Sequence, residues 1–247
     1  MVVFKVLNFI QAEFLKLKNS KIFVLSILGA LFPPFLMGLG IIEDTQTTYT
    51  FQTLYNVNNE YVIALFAVLL CAIIISYLVG REYEEHTLKS IITVPVSRFK
   101  YLIGKYLMFL IWTLILMTII LLSSTAIGFV TGCEGFTTDL FFNEVYQLIG
   151  GGFLLFLAMA PFIFIAMIVN NMVPAMVGGA ALILVNMLAY SRPEAPYFPW
   201  IAPYLIVSGN MSQYTCPDYI PYLVILITFA VGFLLSYIYF VKRDIRL

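Results

Sequence analysis

The side chains that could do chemistry are concentrated in one polar stretch, residues 80–105, which lies between two long apolar runs and is named the polar island below. It reads GREYEEHTLKSIITVPVSRFKYLIGK and carries eight of the chain's 26 charged residues together with its single histidine, His86. Acid, base and nucleophilic catalysis need such groups held in a fixed constellation. The sequence contains no recognisable nucleophile motif, and a solvated histidine is favoured over a catalytic one at position 86.

Nucleotide and metal sites are disfavoured by spacing and composition. A phosphate-binding loop needs the pattern Gly-x-x-x-x-Gly-Lys-Ser/Thr. In the only Gly-Lys pair, Gly104 and Lys105, Phe99 stands where the first glycine is required and Tyr106 where the hydroxyl residue is required. One histidine rules out a zinc site built on several histidines. We therefore predict no catalytic residue, no metal ligand and no cofactor in this chain.

The pattern of the polar island predicts a short amphipathic helix with the 3.6-residue spacing of apolar and polar faces. One face comprises Tyr83, Thr87, Leu88, Ile91 and Ile92, and the other Glu82, Glu85, His86, Lys89 and Ser90. Pro95 ends the pattern because proline lacks a backbone N–H, and Ser97 is a candidate N-cap for the next helix. The two alternatives are a solvated loop and a helix along the cytoplasmic membrane face, where a partner could push on it.

Long apolar runs must position this island. The chain is 62% hydrophobic and 11% charged, with a mean hydropathy of +0.99, a composition typical of integral membrane proteins. About 20 helical residues cross the hydrocarbon core of a bilayer, and six runs are long enough. They cover residues 22–42, 61–79, 101–130, 145–169, 173–190 and 219–241. The sequence predicts an all-α membrane protein, with spans one and two in residues 22–79 and spans three to six in residues 101–241.

The distribution of charge predicts the orientation, because Lys and Arg accumulate on the cytoplasmic side. With the N-terminus inside, 12 of the 13 Lys and Arg residues lie on the inner side, and only Arg192 lies outside. Eight of the 13 acidic residues lie outside, so a net charge of zero divides into +7 inside and −7 outside. We predict an N-in, C-in topology with residues 80–100 and 242–247 in the cytoplasm. Cys133 and Cys216 both lie in predicted outer loops, where they could form a disulfide or remain two free thiols.

Two segments beyond the spans carry patterns of the membrane interface. Residues 1–21 repeat apolar residues at helical spacing with lysines opposite, which favours an interfacial helix over a plain cytoplasmic lead-in. Residues 191–218 form an aromatic outer segment that is too short to span, with Tyr197, Phe198, Trp200 and Tyr204 as interfacial residue types. We predict a re-entrant or interfacial element with these four residues as a possible outer gate. An aromatic belt without a gating role is the alternative.

Proline and glycine predict irregular spans. Pro33 and Pro34 should kink or divide the first span, because each removes a backbone donor. Three adjacent glycines, residues 150–152, weaken a helix, so a break or hinge is expected near the outer end of the fourth span. The span interiors carry no unambiguous ionisable residue, and ion-coupled transporters commonly rely on such residues. A proton or sodium relay is therefore disfavoured, and the energy for any active transport should come from elsewhere.

Two stretches resemble the type-2 ABC exporter permeases. The polar island and the long span that follows it are similar to the region between the second and third spans of that family. Residues 12–34, AEFLKLKNSKIFVLSILGALFPP, resemble its bacitracin and lantibiotic immunity branch. The six-span plan extends the resemblance over residues 1–247. It implies a single permease domain in the bacterial cytoplasmic membrane that exports or removes an antimicrobial peptide.

The resemblance also implies where partners bind. A separate ABC ATP-binding subunit would hold ATP and Mg²⁺ and would receive a coupling helix from the island, and a second permease chain would complete the pathway. The residues implied in the contact are Glu82, Glu85, Thr87, Leu88, Lys89, Pro95 and Arg98. Membrane lipid and a peptide or hydrophobic substrate are the other expected partners, without nucleic acid. Alternatives are an exporter of another hydrophobic substrate, a non-transporting assembly or sensory subunit, and a secondary transporter.

Overall fold

The computed structural model describes residues 11, 13–16, 20–44, 48–84, 98–169 and 171–242, and these ranges contain helices without a strand. In chain order the helices are α1 (Lys21–Glu43), α2 (Phe51–Gly80), α3 (Arg98–Val130), α4 (Thr138–Ala158), α5 (Ala160–Val169), α6 (Val173–Tyr190), α7 (Ala202–Ser208) and α8 (Ile220–Lys242). All except α5 and α7 are long and apolar enough to cross a membrane. The predicted all-α class and the six spans are confirmed.

The second span, α2, lies at the centre of the bundle and is the most buried of the six long helices. It contains two π-helical stretches, Val62–Phe66 and Ser76–Gly80, and one further helical turn, Arg81–Glu84, follows it. Such π-helical turns are rare and are frequently found at functional sites. In the first of them, the Ala64 carbonyl accepts a hydrogen bond from Asn186 Nδ2 of α6 at 2.7 Å. The second ends at the start of the polar island.

The first span continues through its two prolines. α1 begins after the N-cap Ser20, whose Oγ accepts a hydrogen bond from the Phe23 backbone N–H at 3.2 Å. Pro33 and Pro34 both lie inside the helix and are buried, and α1 is not divided at either. Neighbouring helices can hold a proline-containing span together in this way, so the predicted division of the first span does not occur.

The fourth predicted span consists of two helices. α4 ends at Ala158, Met159 follows with φ −85° and ψ 0°, and α5 begins at Ala160. Pro161 explains the break, because it has no N–H to donate to the carbonyl four residues earlier. The single run of residues 145–169 is therefore interrupted at Met159, well after the glycines.

The predicted hinge at residues 150–152 is wrong, since these glycines lie within α4. They allow close helix packing instead. A Cβ atom on Gly151 would lie 2.7 Å from Ile63 Cδ1 of α2, and one on Gly152 would lie 2.6 Å from Met117 Cγ of α3. Small residues serve this purpose at helix contacts in membranes. The glycine run is thus a packing surface for the two most buried neighbours of α4.

The outer segment folds back against the bundle. α7 has seven residues, too few to span, and it packs against α4 and α8. A 3₁₀ turn lies on each side of it, Ala195–Tyr197 and Asn210–Gln213. Gly209 ends α7 with a φ of 72°, in the left-handed region that favours glycine. Cys133 and Cys216 are free thiols, which decides between the two alternatives for that pair.

Candidate coupling site at the inner end of the bundle

The segments that flank residues 85–97 meet at one end of the bundle, named the inner end after the predicted topology. The turn Arg81–Glu84 arrives there after α2, and α3 begins there with Arg98. Residues 13–16 form a helical turn that contacts both the turn Arg81–Glu84 and the start of α3. Four ionisable side chains and one tyrosine form what we name the inner cluster: Glu13, Lys16, Glu82, Lys105 and Tyr101.

Lys105 of α3 is at the centre of the inner cluster. Its Nζ lies 2.5 Å from Glu13 Oε2 and 2.8 Å from Glu82 Oε1, and it donates a hydrogen bond to the Leu78 carbonyl at 2.8 Å. The Lys105 side chain is 1% exposed, and those of Glu13 and Glu82 are 3% and 8% exposed. An ammonium has three N–H donors, and each has an acceptor here. Because an unpaired charge at this depth would be strongly unfavourable, the two acids and the lysine depend on one another.

Lys16 closes the cluster on its solvent side. Its Nζ lies 2.6 Å from Glu13 Oε1 and 3.2 Å from Glu82 Oε1, and its side chain is half exposed. Burial acts to lower the pKa of Lys16, but the hydrogen bonds and charges of Glu13 and Glu82 together outweigh it, and the pKa is raised. Burial acts to raise the pKa of Glu82, but the charge and hydrogen bond of Lys105, the Tyr101 hydrogen bond and the charge of Lys16 together outweigh it, and the pKa is lowered. The carboxylates of Glu13 and Glu82 thus each contact both Lys16 and Lys105.

Two tyrosine side chains, Tyr77 and Tyr101, connect the turn of residues 13–16 and the polar island to the spans through hydrogen bonds. The Tyr77 hydroxyl donates to the Lys16 carbonyl at 3.1 Å, and the Arg81 guanidinium lies 5.1 Å from the centroid of the Tyr77 ring. The Tyr101 hydroxyl donates to Glu82 Oε2. Tyr101 and Lys105 are four residues apart on α3, so both face the same side of that helix. This spacing directs both side chains of α3 at the Glu82 carboxylate.

The first turn of α3 is also tied to the last span. Arg98 Nη1 donates to the carbonyls of Phe240 and Val241, each at 2.9 Å. The last carbonyls of a helix lack intrahelical donors, and the negative end of its dipole favours a cation. The Tyr101 ring stacks on the Phe240 ring, with centroids 5.0 Å and planes 15° apart. A displacement of the start of α3 would therefore be passed to α8.

Gly80 adds a contact with the α5–α6 connection. A Cβ atom at position 80 would lie 3.1 Å from Met172 Cα and 3.3 Å from the Asn171 carbonyl oxygen. Both neighbours are backbone atoms and cannot move aside as a flexible side chain would. The residue that opens the polar island thus touches the α5–α6 connection, and Arg98, near its end, touches α8.

The matched region of a known family includes this site. The sequence pattern of a family described as ABC-2 family transporter protein matches residues 9–187, which is more than half of the chain and includes the whole inner cluster. The chain belongs to the ABC-2 transporter family. A bacitracin transport permease protein, BCRB, of Bacillus licheniformis is 31% identical to this ABC-2 chain over 196 residues, 79% of this chain and 94% of that protein. Family membership and six apolar helices make the chain a multi-pass bacterial membrane protein whose ATP-binding subunit is a separate partner.

Two of the seven residues predicted to contact that partner are described in this ABC-2 chain. Glu82 is buried in the inner cluster, and Arg98 binds the end of α8. Both therefore anchor, within the permease, the parts of the island that flank residues 85–97. The other five, Glu85, Thr87, Leu88, Lys89 and Pro95, lie outside the described residues, as does the predicted coupling helix after Glu84. Their contact with a partner stays a prediction.

Glu13, Lys16 and Lys105 were not predicted to share a site. The signal at Lys105 was its place in the third apolar run, one helical turn after Tyr101, where a charge requires a buried partner. That partner, Glu13, is 92 positions away, and no local pattern connects the two. Lys105 of α3 and Glu144 of α4 each lie within about two turns of the start of their helix, and each is 1% exposed.

The four residues predicted as an outer gate lie in different environments at the opposite end. Tyr197 is exposed, whereas Phe198 is partly buried against the core. The Trp200 ring packs edge-on to Phe162 of α5 with centroids 6.3 Å apart. Tyr204 of α7 is buried. The latter three are therefore parts of the packed outer segment, and a gating role for the four stays a prediction.

Proposed function

We propose that this ABC-2 permease is the membrane-spanning subunit of an ATP-driven exporter that removes an antimicrobial peptide of the bacitracin type. The similarity to a bacitracin transport permease supports the substrate class. ATP and Mg²⁺ would bind to a separate ATP-binding subunit, because Gly104 and Lys105 lack the surrounding residues of a phosphate loop. A second permease chain, identical or related, would enclose the pathway.

The observation that carries the coupling part of this proposal is the anchoring of the polar island on both sides of residues 85–97. Residues 85–97 follow the turn Arg81–Glu84, in which Glu82 Oε1 lies 2.8 Å from Lys105 Nζ of α3. They end before Arg98, which binds the last carbonyls of α8. A force applied to the segment would move α2, α3 and α8 together, since close-packed interiors transmit displacement rather than absorb it.

Bacitracin resistance tests the transport function. Cells without another bacitracin exporter would express this chain, the ATPase that co-purifies with it, or both. We expect growth at raised bacitracin concentrations with both proteins, and loss of that growth when the phosphate-loop lysine of the ATPase is replaced. Protection by the permease alone would contradict ATP-driven export and favour an assembly or sensory role. Protection only against a different hydrophobic compound would favour the other exporter.

The purified complex tests the coupling role of the inner cluster. Glu82→Gln keeps the size of the side chain but removes the charge that pairs with Lys105. We expect basal ATP hydrolysis to persist and its stimulation by bacitracin to fall severalfold, because the ion pair that joins the turn Arg81–Glu84 to Lys105 of α3 is lost. Glu134→Gln, which removes an exposed acid far from the inner cluster, is the matched control and should keep the stimulation. Equal stimulation in both variants would contradict the coupling role.

A further inference from the structure

Among the described residues, every buried side-chain polar atom without a partner lies away from the inner cluster. These atoms are Asn58 Oδ1 and Nδ2, Asn59 Oδ1, Glu144 Oε1, Asn186 Oδ1 and Trp200 Nε1. Proteins rarely leave such atoms unpaired, and in a membrane water is not freely available to them. The charged side chains of the inner cluster are paired with one another, whereas the outer half of the bundle contains buried polar atoms without a partner.

Glu144 is the charged residue in this group, and it is 1% exposed. Its Oε2 accepts a hydrogen bond from Asn59 Nδ2 of α2 at 2.7 Å. The same Nδ2 donates to Gln147 Oε1, one turn further along α4, at 2.9 Å. Glu144 Oε1 has no partner. No lysine, arginine or histidine in the described part of the chain forms an ion pair with this carboxyl.

Among the described residues, the titratable groups found around Glu144 provide no positive charge. On α2, Tyr55 interacts electrostatically with the Glu144 carboxyl. Glu60, further along α2, interacts with Tyr204 of α7 and would add negative charge. On α8 the outermost turns carry Tyr222, which is about half exposed. On α3, the uncharged Thr125 lies near Tyr55, with its Oγ1 2.9 Å from the Tyr55 hydroxyl.

A carboxylate in this position therefore needs a positive charge from outside the protein, because an unpaired buried ion is strongly unfavourable. A metal ion would need several oxygen ligands directed at it. Asn59 instead directs an N–H group at both Glu144 and Gln147, which places a donor where a metal would need an acceptor. A proton needs only the one free oxygen, Glu144 Oε1. The geometry favours a proton over a metal ion.

We propose that Glu144 is a proton-binding site, with the proton on Oε1 and the hydrogen bond from Asn59 on Oε2. Release converts the neutral acid to a carboxylate and passes the proton to water. The resulting charge must be hydrated, so the deprotonated form favours separation of α2 from α4 and the protonated form favours the packed arrangement. By linkage, opening of this contact would promote proton release. The inference concerns this chain alone and does not rest on ATP-driven export.

Infrared spectroscopy of the purified full-length chain in lipid nanodiscs tests the proposal. At neutral pH we expect a C=O stretching band of a protonated carboxylic acid that Glu144→Gln abolishes. Glu134→Gln, the matched control at an exposed outer acid, should leave the band unchanged. We also expect the thermal midpoint to be the same in sodium, potassium and lithium chloride, since no metal ion occupies the site.

Three outcomes would overturn the proposal. The first is the absence of a protonated-acid band in the folded wild-type chain, and the second is a band that persists unchanged in Glu144→Gln. The third is a stabilisation by one metal ion that Glu144→Gln removes, because the site would then belong to that ion. If Glu144→Gln does not accumulate, Asn59→Ala serves instead. Loss of the Asn59 donor should move the band to higher frequency, and an unmoved band would contradict the assignment.

Discussion

Replacement of Lys105 by methionine should destabilise the permease strongly. Methionine fills a similar volume but leaves the Glu13 and Glu82 carboxylates buried without the ammonium that lies 2.5 Å and 2.8 Å from them. Removing one partner of a buried ion pair costs about 3–5 kcal/mol. Two carboxylates lose their common partner here, while Lys16 still contacts both. We therefore expect a loss of about 4 kcal/mol in the free energy of unfolding, within that range.

Reversible unfolding of the purified chain in mixed detergent micelles, followed by circular dichroism, measures this loss. Lys16→Met is the matched control, because the same two carboxylates lose a half-exposed lysine, and exposed pairs contribute about 0–1 kcal/mol. A triple variant, Lys105→Met with Glu13→Gln and Glu82→Gln, removes the uncompensated charges and should recover more than half of the loss. Equal effects of Lys105→Met and Lys16→Met, or a triple variant less stable than Lys105→Met, would refute the account of the inner cluster.

Three further predictions concern packing, pH and orientation. Gly152→Ala should destabilise the chain by about 1–3 kcal/mol because of overpacking, whereas Gly150→Ala, whose Cβ would lie 3.7 Å from its nearest neighbour, should not; equal effects in the same unfolding assay would contradict close packing at residue 152. The lowered pKa of Glu82 means that its stabilisation is present above its ordinary value of 4.5 and is lost as the pH falls through the folded value. Thermal midpoints should thus fall more steeply with acid in the wild type than in Glu82→Gln, and parallel curves would exclude this contribution. A membrane-impermeant maleimide added to intact cells should label Cys133 or Cys216, while labelling only after lysis would reverse the predicted orientation.

The six spans were predictable from sequence because each depends on a local property, namely the length of an apolar run. The end of the fourth span was not predictable, because the run of residues 145–169 contains two helix-weakening signals, the glycines at 150–152 and Pro161. The glycines at 150–152 suggested a weak helix, but Ile63 and Met117 pack against two of them. Pro161 removes a backbone donor wherever it packs, and the helix breaks just before it. At the glycines, packing against neighbouring helices outweighed their low helix propensity. At Pro161, packing could not replace the missing backbone N–H.

In the functional region, too, the features that depend on local sequence were predictable and those that depend on distant residues were not. The polar island could be recognised from its composition, and the structure anchors it through Glu82 and Arg98, on either side of residues 85–97. The inner cluster could not be recognised, because Glu13 and Lys105 meet only after three segments pack together. Glu144 directly precedes the apolar run of residues 145–169, so the sequence placed it among the eight outer acids, whereas the structure buries it in α4 beside Asn59 of α2. Non-local pairing of this kind leaves no periodic signal in a single sequence.

Co-purification of an ATPase with the full-length chain tests the central claim, that the polar island is where an ATP-binding partner acts on the spans. The comparison is between the intact chain, the double variant Glu85→Arg with Leu88→Asp, and the control Glu134→Gln, each confirmed to be folded in the membrane. We predict that an ATPase accompanies the intact chain and the control but is lost from the double variant. An ATPase retained in full by the double variant, or absent from the intact chain, would contradict the claim.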